Sequence, residues 1–217
     1  MKGFRLLQRR DSTFRQEATI SNAARKLAPV TIAEFDDYVE RLGDEARSFE
    51  LVDGVIVMMT NPTLRHEQIV SNIGARLKLA MDGRRCQTFY GGIRIQRSSD
   101  RKAPDKPKPD VVVRCGPISR DTGLRTYIDD PVVVVEVLSP STKDVDRGRK
   151  LEFYKSLETL QHIVIVYQDQ KRIEHYHRNG DDWTADEALI KLEDVLDLSA
   201  VEFTMTVAEA YFDVAIS

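Results

Sequence analysis

The chain has 217 residues, 41% hydrophobic and 31% charged, with a formal net charge of −3 and a pI near 5.9. This composition fits one globular domain, or one domain with an extension, and excludes a general electrostatic attraction to nucleic acid. Cys86 and Cys115 are too few for a disulfide framework and fit a reducing cytosol, and no Cys/His spacing indicates a structural zinc site. No apolar stretch suits a signal peptide or a membrane span, so we expect a cytoplasmic protein without membrane contact.

The first half of the chain predicts an extension, two helices and two hairpins. Residues 1–28 are polar, arginine-rich and aperiodic, so we interpret them as an extension of a domain at 29–217. A charged, proline-rich loop follows the last hairpin, over residues 98–109. The elements between are a helix from the Thr31-x-x-Glu34 capping box to about Arg41, a hairpin at Phe49–Met59 turning at Asp53-Gly54, a helix from Pro62-Thr63 with apolar positions Ile69, Val70, Ile73, Leu77 and Met81, and strands near Gln87–Tyr90 and Ile93–Arg97 around Gly91-Gly92.

Two apolar strands each carry one carboxylate. Glu136 interrupts the run Pro131–Leu138, which predicts a strand buried on both faces, and Asp110 opens the strand that follows Pro109. A buried carboxylate must be protonated, paired or bound to a metal. If the strands are neighbours, the two charges at about 4 Å repel by about 4 kcal/mol, and a hard divalent cation removes this repulsion. The alternative is that Asp110 caps a turn and Glu136 pairs with an arginine.

The second half predicts a helix and a further set of strands. Ser141 and Asp144 can cap a helix that reaches about Leu157, with Asp146, Lys150 and Tyr154 on one face. The pattern then predicts an apolar strand at His162–Tyr167, an edge strand at Ile173–His177, a turn at Asn179-Gly180, a strand near Val201–Met205 and a short helix from Thr206.

This order resembles the PD-(D/E)XK nuclease superfamily, and more closely its Uma2 (DUF820) branch, over roughly residues 30–213. The matching pieces are Phe49-Glu50-x-x-Asp53-Gly54, His66, Pro109-Asp110, the run Glu136-Val137-Leu138-Ser139-Pro140-Ser141-Thr142, and then Asp146, Lys150 and Tyr154. The resemblance implies an α/β (α+β) fold with a restriction-endonuclease-like mixed central sheet flanked by helices.

The resemblance also implies a catalytic site that uses Mg²⁺ or Mn²⁺ to hydrolyse DNA phosphodiester bonds. Asp110, Glu136 and the carbonyl of Val137 are then the metal ligands, and Lys150 orients the attacking water or stabilises charge at phosphorus. The superfamily's usual lysine lies two residues after the glutamate, where this chain has Leu138. Lys150, on the next helix, occupies the place from which the Uma2 branch takes its lysine.

Five further residues are secondary candidates for the site. Glu50 adds a carboxylate through water or is simply solvated, and His66 contacts phosphate or Glu50 or is a polar neighbour. Asp146 pairs with Lys150, and Tyr154 packs with a hydrogen-bonded hydroxyl. Ser139 is a hydrogen-bonding residue at the helix entry, because the chain lacks a Gly-x-Ser-x-Gly elbow.

Three functions remain open at this point. The first is a DNA endonuclease that works as a homodimer, because one small domain reaches one strand at a time. The second is an inactive nuclease-fold binding or regulatory module. The third is a small-molecule hydrolase, for which the sequence contains no pocket-specific motif. Basic side chains that could follow a phosphate backbone are Arg65, Arg84, Arg85, Arg94, Lys143, Arg147 and Arg149.

Overall fold

The computed structural model describes residues 28–59, 61–97, 101–117, 123, 125–138 and 146–216, with backbone only at 45–47 and 146. The predicted extension, except its last residue, lies outside these ranges. So do Ser139, Lys143 and the cap predicted at Ser141 and Asp144. In the described ranges, no helix combines the length and the apolar character needed to cross a bilayer.

A six-stranded mixed sheet forms the centre of the fold. The strands lie in the order β10-β9-β8-β7-β5-β3, in which β7 and β8 are parallel and the other neighbours are antiparallel. This sheet confirms the expected mixed α/β architecture. Its strands are β3 (Cys86–Tyr90), β5 (Val111–Cys115), β7 (Pro131–Leu138), β8 (His162–Tyr167), β9 (Ile173–Asn179) and β10 (Asp182–Ala185).

Both faces of this sheet are covered, as the unbroken apolar run in β7 predicts. Alternate residues Val133, Val135 and Val137 pack against the long helix α2 (Leu64–Ala80) and the C-terminal elements. The other face, which carries Val134 and Leu138, is covered by a π-helical turn (Asp146–Lys150) that continues into α3 (Leu151–Lys155). The predicted helix before Leu157 is therefore present, with a wider first turn.

A small N-terminal unit packs beside the sheet. Helix α1 (Ile32–Leu42) begins at the predicted capping box of Thr31 and Glu34, and a 3₁₀ turn (Gly43–Ser48) leads into the hairpin β1–β2. The strands β1 (Phe49–Val52) and β2 (Val55–Met58) turn at Asp53-Gly54, where both residues have positive φ. Leu51 pairs with Lys106, so the proline-rich loop fixes this hairpin against the domain.

Two sequence expectations about strand pairing are wrong. Strands β3 and β4 (Arg94–Ile95) do not form a hairpin: β3 pairs with β5, and β4 pairs in parallel with β6 (Tyr127–Ile128). Strand β9 is not an edge strand, because the turn at Asn179-Gly180 adds β10 outside it. Local alternation cannot distinguish these pairings, because it reports which face is buried and not which neighbour is present.

The two cysteines form a disulfide, in contrast to the expectation drawn from their number. Cys86 and Cys115 lie directly opposite each other on the antiparallel strands β3 and β5, which brings their sulfur atoms into bonding range. The pairing removes the cysteine-based argument for a reducing compartment.

The C-terminal elements complete the face that α2 covers. Strands β11 (Val195–Leu198) and β12 (Phe203–Thr206) flank a 3₁₀ turn (Ser199–Val201), and α4 (Val207–Ala210) begins at the predicted Thr206 with a capping box. The backbone N–H of Ala200 in this turn donates to Nε2 of His162 on β8, at 3.1 Å. The turn is thus attached to the sheet through a buried histidine.

His162 should make the metal-free protein sensitive to acid. Burial, followed by the proximity of His175 and His177, lowers the pKa of His162 to about 4 from 6.5. Between these values the unfolded chain binds the proton and the folded protein does not, so stability falls as the pH drops from about 6.5 to 4. We expect the stability advantage of wild type over His162→Gln, measured by urea unfolding in EDTA, to be smaller at pH 5 than at pH 7. An advantage that is equal at both pH values would contradict a neutral, buried His162.

Candidate functional site

Asp110 and Glu136 meet at adjacent positions of β5 and β7. Val111 lies opposite Val135, so Asp110 and Glu136 occupy the next facing positions of the antiparallel pair, on the sheet face that α3 covers. The backbone N–H of Val137 donates to Oδ2 of Asp110 at 2.7 Å. The two carboxylates that the sequence places on neighbouring strands are therefore together.

A lysine lies between two of the site's carboxylates. Nζ of Lys150 is 3.3 Å from Oε1 of Glu136 and 3.0 Å from Oε2 of Glu50. The exposed fractions of these side chains are 1% for Lys150, 3% for Glu136 and 0% for Glu50, so all three are out of solvent. Glu136 thus has a cationic partner, but this partner is a lysine rather than the arginine of the alternative interpretation. Glu50 is not solvated.

Tyr154 and His66 also contact the carboxylates of Glu136 and Asp110. The hydroxyl of Tyr154, one turn after Lys150, donates to Oε1 of Glu136 at 2.6 Å, which confirms the expected hydrogen bond. Nε2 of His66, on the first turn of α2, lies 3.4 Å from Oδ2 of Asp110 and not beside Glu50. Burial acts to lower the pKa of His66, but contact with the carboxylates of Asp110 and Glu67 outweighs it, so the pKa is raised.

The charge at this site suits a divalent cation. Among the described residues, Glu50 and Glu136 share one ammonium, that of Lys150, and Asp110 contacts His66, so carboxylates outnumber lysines at the site. Oε1 of Glu50 is buried and has no hydrogen-bond partner among the described residues. The three carboxylates do not bring three donor oxygens within 4.8 Å of one another. The residues present therefore fit a hard cation held by the Asp110–Glu136 pair, with Glu50 holding the lysine.

The side-chain contacts of Asp146, like those of Ser139, are outside what the structure describes. Its backbone opens the π-helical turn, and the predicted pairing of its side chain with Lys150 remains a prediction. The larger surprise is Glu50, which sequence reasoning left between a ligand role and a solvated position. In the sequence, its apolar neighbours Phe49, Leu51 and Val52 were the available signal that this segment is buried.

A cleft lies next to the helical segment that carries Lys150. It has a volume of about 750 Å³ and lies between the β1–β2 turn, the proline-rich loop and this helical segment. Arg147 and Arg149 line it together with the carboxylates of Asp53, Asp105 and Glu152, and Arg149 reaches Asp53 at 3.3 Å. Arg97 and Lys102 also line it, and sequence reasoning missed both.

Other predicted basic residues lie elsewhere. Arg94 donates to the carbonyl of Phe49 and stacks over Phe35, and burial lowers the pKa of its guanidinium. Arg84 donates to the carbonyl of Val201. Neither lines the cleft, and neither do Arg65 and Arg85.

Comparison with known proteins identifies the family. The model of the Uma2 family, described as "Putative restriction endonuclease", matches residues 34–208. Two curated relatives come from Synechocystis sp. and are both uncharacterized: slr1290 is 31% identical over 72% of this chain and 80% of its own length, and sll1609 is 24% identical over 71% and 86%.

A solved structure has the same fold. It is a crystal structure from Anabaena variabilis described as "a putative nuclease belonging to DUF820", with a TM-score of 0.66 and 16% identity, covering 84% of this chain and 98% of the other. At this identity the likeness concerns the fold alone. The family match spans both strand carboxylates, Lys150 and the whole central sheet, and the chain belongs to the Uma2 family of restriction-endonuclease-like proteins.

Proposed function

We propose that this protein is an endonuclease that hydrolyses DNA phosphodiester bonds with the help of Mg²⁺ or Mn²⁺. One observation carries the proposal: a fully buried lysine contacts Glu136, which lies beside Asp110 on the neighbouring strand. Packing alone does not favour such a group, because an apolar cluster of the same volume is often as stable or more stable. Membership of a family described as "Putative restriction endonuclease" supports the same function.

Asp110 and Glu136 would hold the metal, and the carbonyl of Val137 is a further candidate ligand. A bound divalent cation supplies Lewis-acid polarisation of the phosphate and lowers the pKa of water. These carboxylates are held in place before any metal arrives. Tyr154 fixes one oxygen of Glu136, and the N–H of Val137 fixes one oxygen of Asp110.

Lys150 would act as the fixed positive charge of the reaction. Glu50 and Glu136 hold its ammonium from two sides, so its position does not depend on the substrate. A preorganised cation of this kind stabilises negative charge that develops on the phosphate, and it can orient the attacking water. Glu50 is then a positioning residue for Lys150.

The cleft beside the helical segment of Lys150 would receive the DNA backbone. Arg147 and Arg149 precede Lys150 on the same segment, and Arg97 and Lys102 line the same cleft. Contacts of this type fix position without reading sequence, and they bind local phosphates although the whole chain is acidic.

The experiment is cleavage of supercoiled plasmid DNA by the full chain with Mg²⁺ or Mn²⁺. We expect nicked and linear products with metal, none in EDTA, and none from Asp110→Asn. Mg²⁺ at about 100 times its dissociation constant should also stabilise wild type by about 2.7 kcal/mol and leave Asp110→Asn unchanged. An equal shift in both proteins would remove Asp110 from the metal site.

A second function is favoured by one residue. Leu138 is buried at the position where the superfamily usually has its lysine, as expected of a nuclease fold that binds DNA without cutting it. Metal-dependent binding of a labelled duplex without any cleavage would identify such a module.

A further inference from the structure

Three of the chain's four histidines lie together on the sheet face opposite Glu136. His162 on β8 pairs in register with His177 on β9, and His175 precedes His177 by two residues, so all three point to the face that α2 covers. The nuclease proposal uses none of them. The sheet therefore separates this group from the Asp110–Glu136 site.

Asp186 joins these histidines from the segment that follows β10. Nδ1 of His175 lies 2.7 Å from Oδ2 of Asp186, and Nδ1 of His177 lies 3.2 Å from Oδ1 of the same carboxylate. The backbone N–H of Asp186 donates to the carbonyl of His175, which fixes the carboxylate beside the two rings. One nitrogen of each histidine and one oxygen of Asp186 all lie within 4.8 Å of one another. Among the described residues, no other three His, Cys, Asp or Glu side chains bring their donor atoms this close together.

We propose that His175, His177 and Asp186 bind a transition-metal ion of the Zn²⁺ class. Two imidazole nitrogens and one carboxylate oxygen are a donor set for such ions, whereas Mg²⁺ takes oxygen ligands. The side chains of His177 and Asp186 are 35% and 38% exposed, so an ion can enter from solvent and keep a water as its fourth ligand. A tetrahedral zinc site places donors about 3.3 Å apart, close to the separations already present.

His162 is placed to hydrogen-bond the ring nitrogen of His175 that would not bind the metal. Its Nδ1 is 2.9 Å from Nε2 of His175, the ring nitrogen that faces away from Asp186. In the metal-free protein Ala200 donates to Nε2 of His162, so the ring protons of His162 and His175 both sit on Nδ1.

Binding at Nδ1 of His175 moves both ring protons to the Nε2 atoms. His175 then donates to His162, and the Ala200–His162 bond breaks, with no net release of protons. The hydrogen bonds between the two rings and Asp186 are lost as well, and three metal bonds replace them.

The site cannot be recognised in the sequence, because its ligands do not follow a Cys/His spacing. His175 and His177 are two residues apart, but Asp186 follows only after the β9–β10 turn. The hairpin register, which continues through the Asp186–His175 backbone bond, brings the three together.

The test is Zn²⁺ titration by calorimetry on tag-free, metal-stripped full-length protein. The Asp110→Asn background keeps the ion away from the proposed nuclease site. We expect one Zn²⁺ to bind per chain. The affinity for Zn²⁺ should fall at least tenfold after His177→Gln or Asp186→Asn, and excess Mg²⁺ should not change it. The matched control is Asp182→Asn, which removes an exposed carboxylate of the same hairpin and should leave the affinity as it was.

Co²⁺ supplies a second readout, because its visible absorption bands report nitrogen ligands. The bands should appear when Co²⁺ is added to Asp110→Asn, and they should be lost when His177→Gln is added to that variant. In NMR spectra, the backbone amide signal of Ala200 should shift when Zn²⁺ is added. Absence of Zn²⁺ binding in the Asp110→Asn background, or equal affinity in all variants, would overturn the proposal and leave the group as a hydrogen-bonded network. Plasmid cleavage by the wild type is measured separately, so the two proposals fail independently.

Discussion

Replacement of Lys150 by methionine should lower the free energy of unfolding by about 3–5 kcal/mol, because it leaves buried carboxylates without their cation. Glu50 and Glu136 are 0% and 3% exposed, so water cannot take over the role of the ammonium. Urea unfolding at pH 7 in EDTA measures the loss. The same protein should also show no plasmid cleavage.

Two comparisons separate a charge effect from a packing effect. Lys155→Met removes a lysine of the same helical segment that is 29% exposed and pairs with Glu152, and it should change stability by less than about 1 kcal/mol. Adding Glu50→Gln and Glu136→Gln to Lys150→Met should restore most of the lost stability, since neutral groups no longer repel. If Lys150→Met unfolds at the wild-type urea concentration, the three side chains do not act as a buried ionic group.

The parts of the site that lie on strands follow from local sequence. A carboxylate inside an apolar run stands out whatever the fold, because burial of a charge needs a reason. The pairing of β5 with β7 needed one further assumption, that the two apolar strands are neighbours, and it is confirmed. Capping boxes at Thr31 and Thr206 are equally local and are also confirmed.

The parts that depend on long-range pairing did not follow. The contact between Glu50 and Lys150 joins residues 100 positions apart, and nothing near Glu50 in the sequence announces a buried cation. The repulsion expected between Asp110 and Glu136 is offset by this lysine, for which the sequence predicted a catalytic role and a pair with Asp146. Cys86 and Cys115 were misjudged for the same reason, because only the β3–β5 register makes them partners.

Glu136→Gln should abolish cleavage while leaving the fold almost as stable as wild type. Glutamine has nearly the same shape, and its Oε1 can still accept the hydrogen bond from Tyr154, while Lys150 keeps its ion pair with Glu50. The metal would lose a charged ligand. A loss of several kcal/mol in transition-state stabilisation corresponds to a rate at least about 100-fold lower.

The matched control for Glu136→Gln is Glu174→Gln. Glu174 is a buried glutamate on the same sheet face, aligned with Glu136 through Ile165 two strands away, and its partners are Tyr167, Arg172 and Arg147. Plasmid nicking should persist in Glu174→Gln and disappear in Glu136→Gln. Nicking by Glu136→Gln at the wild-type rate would show that the buried carboxylate is a scaffold residue, and the binding-module function would then replace the nuclease.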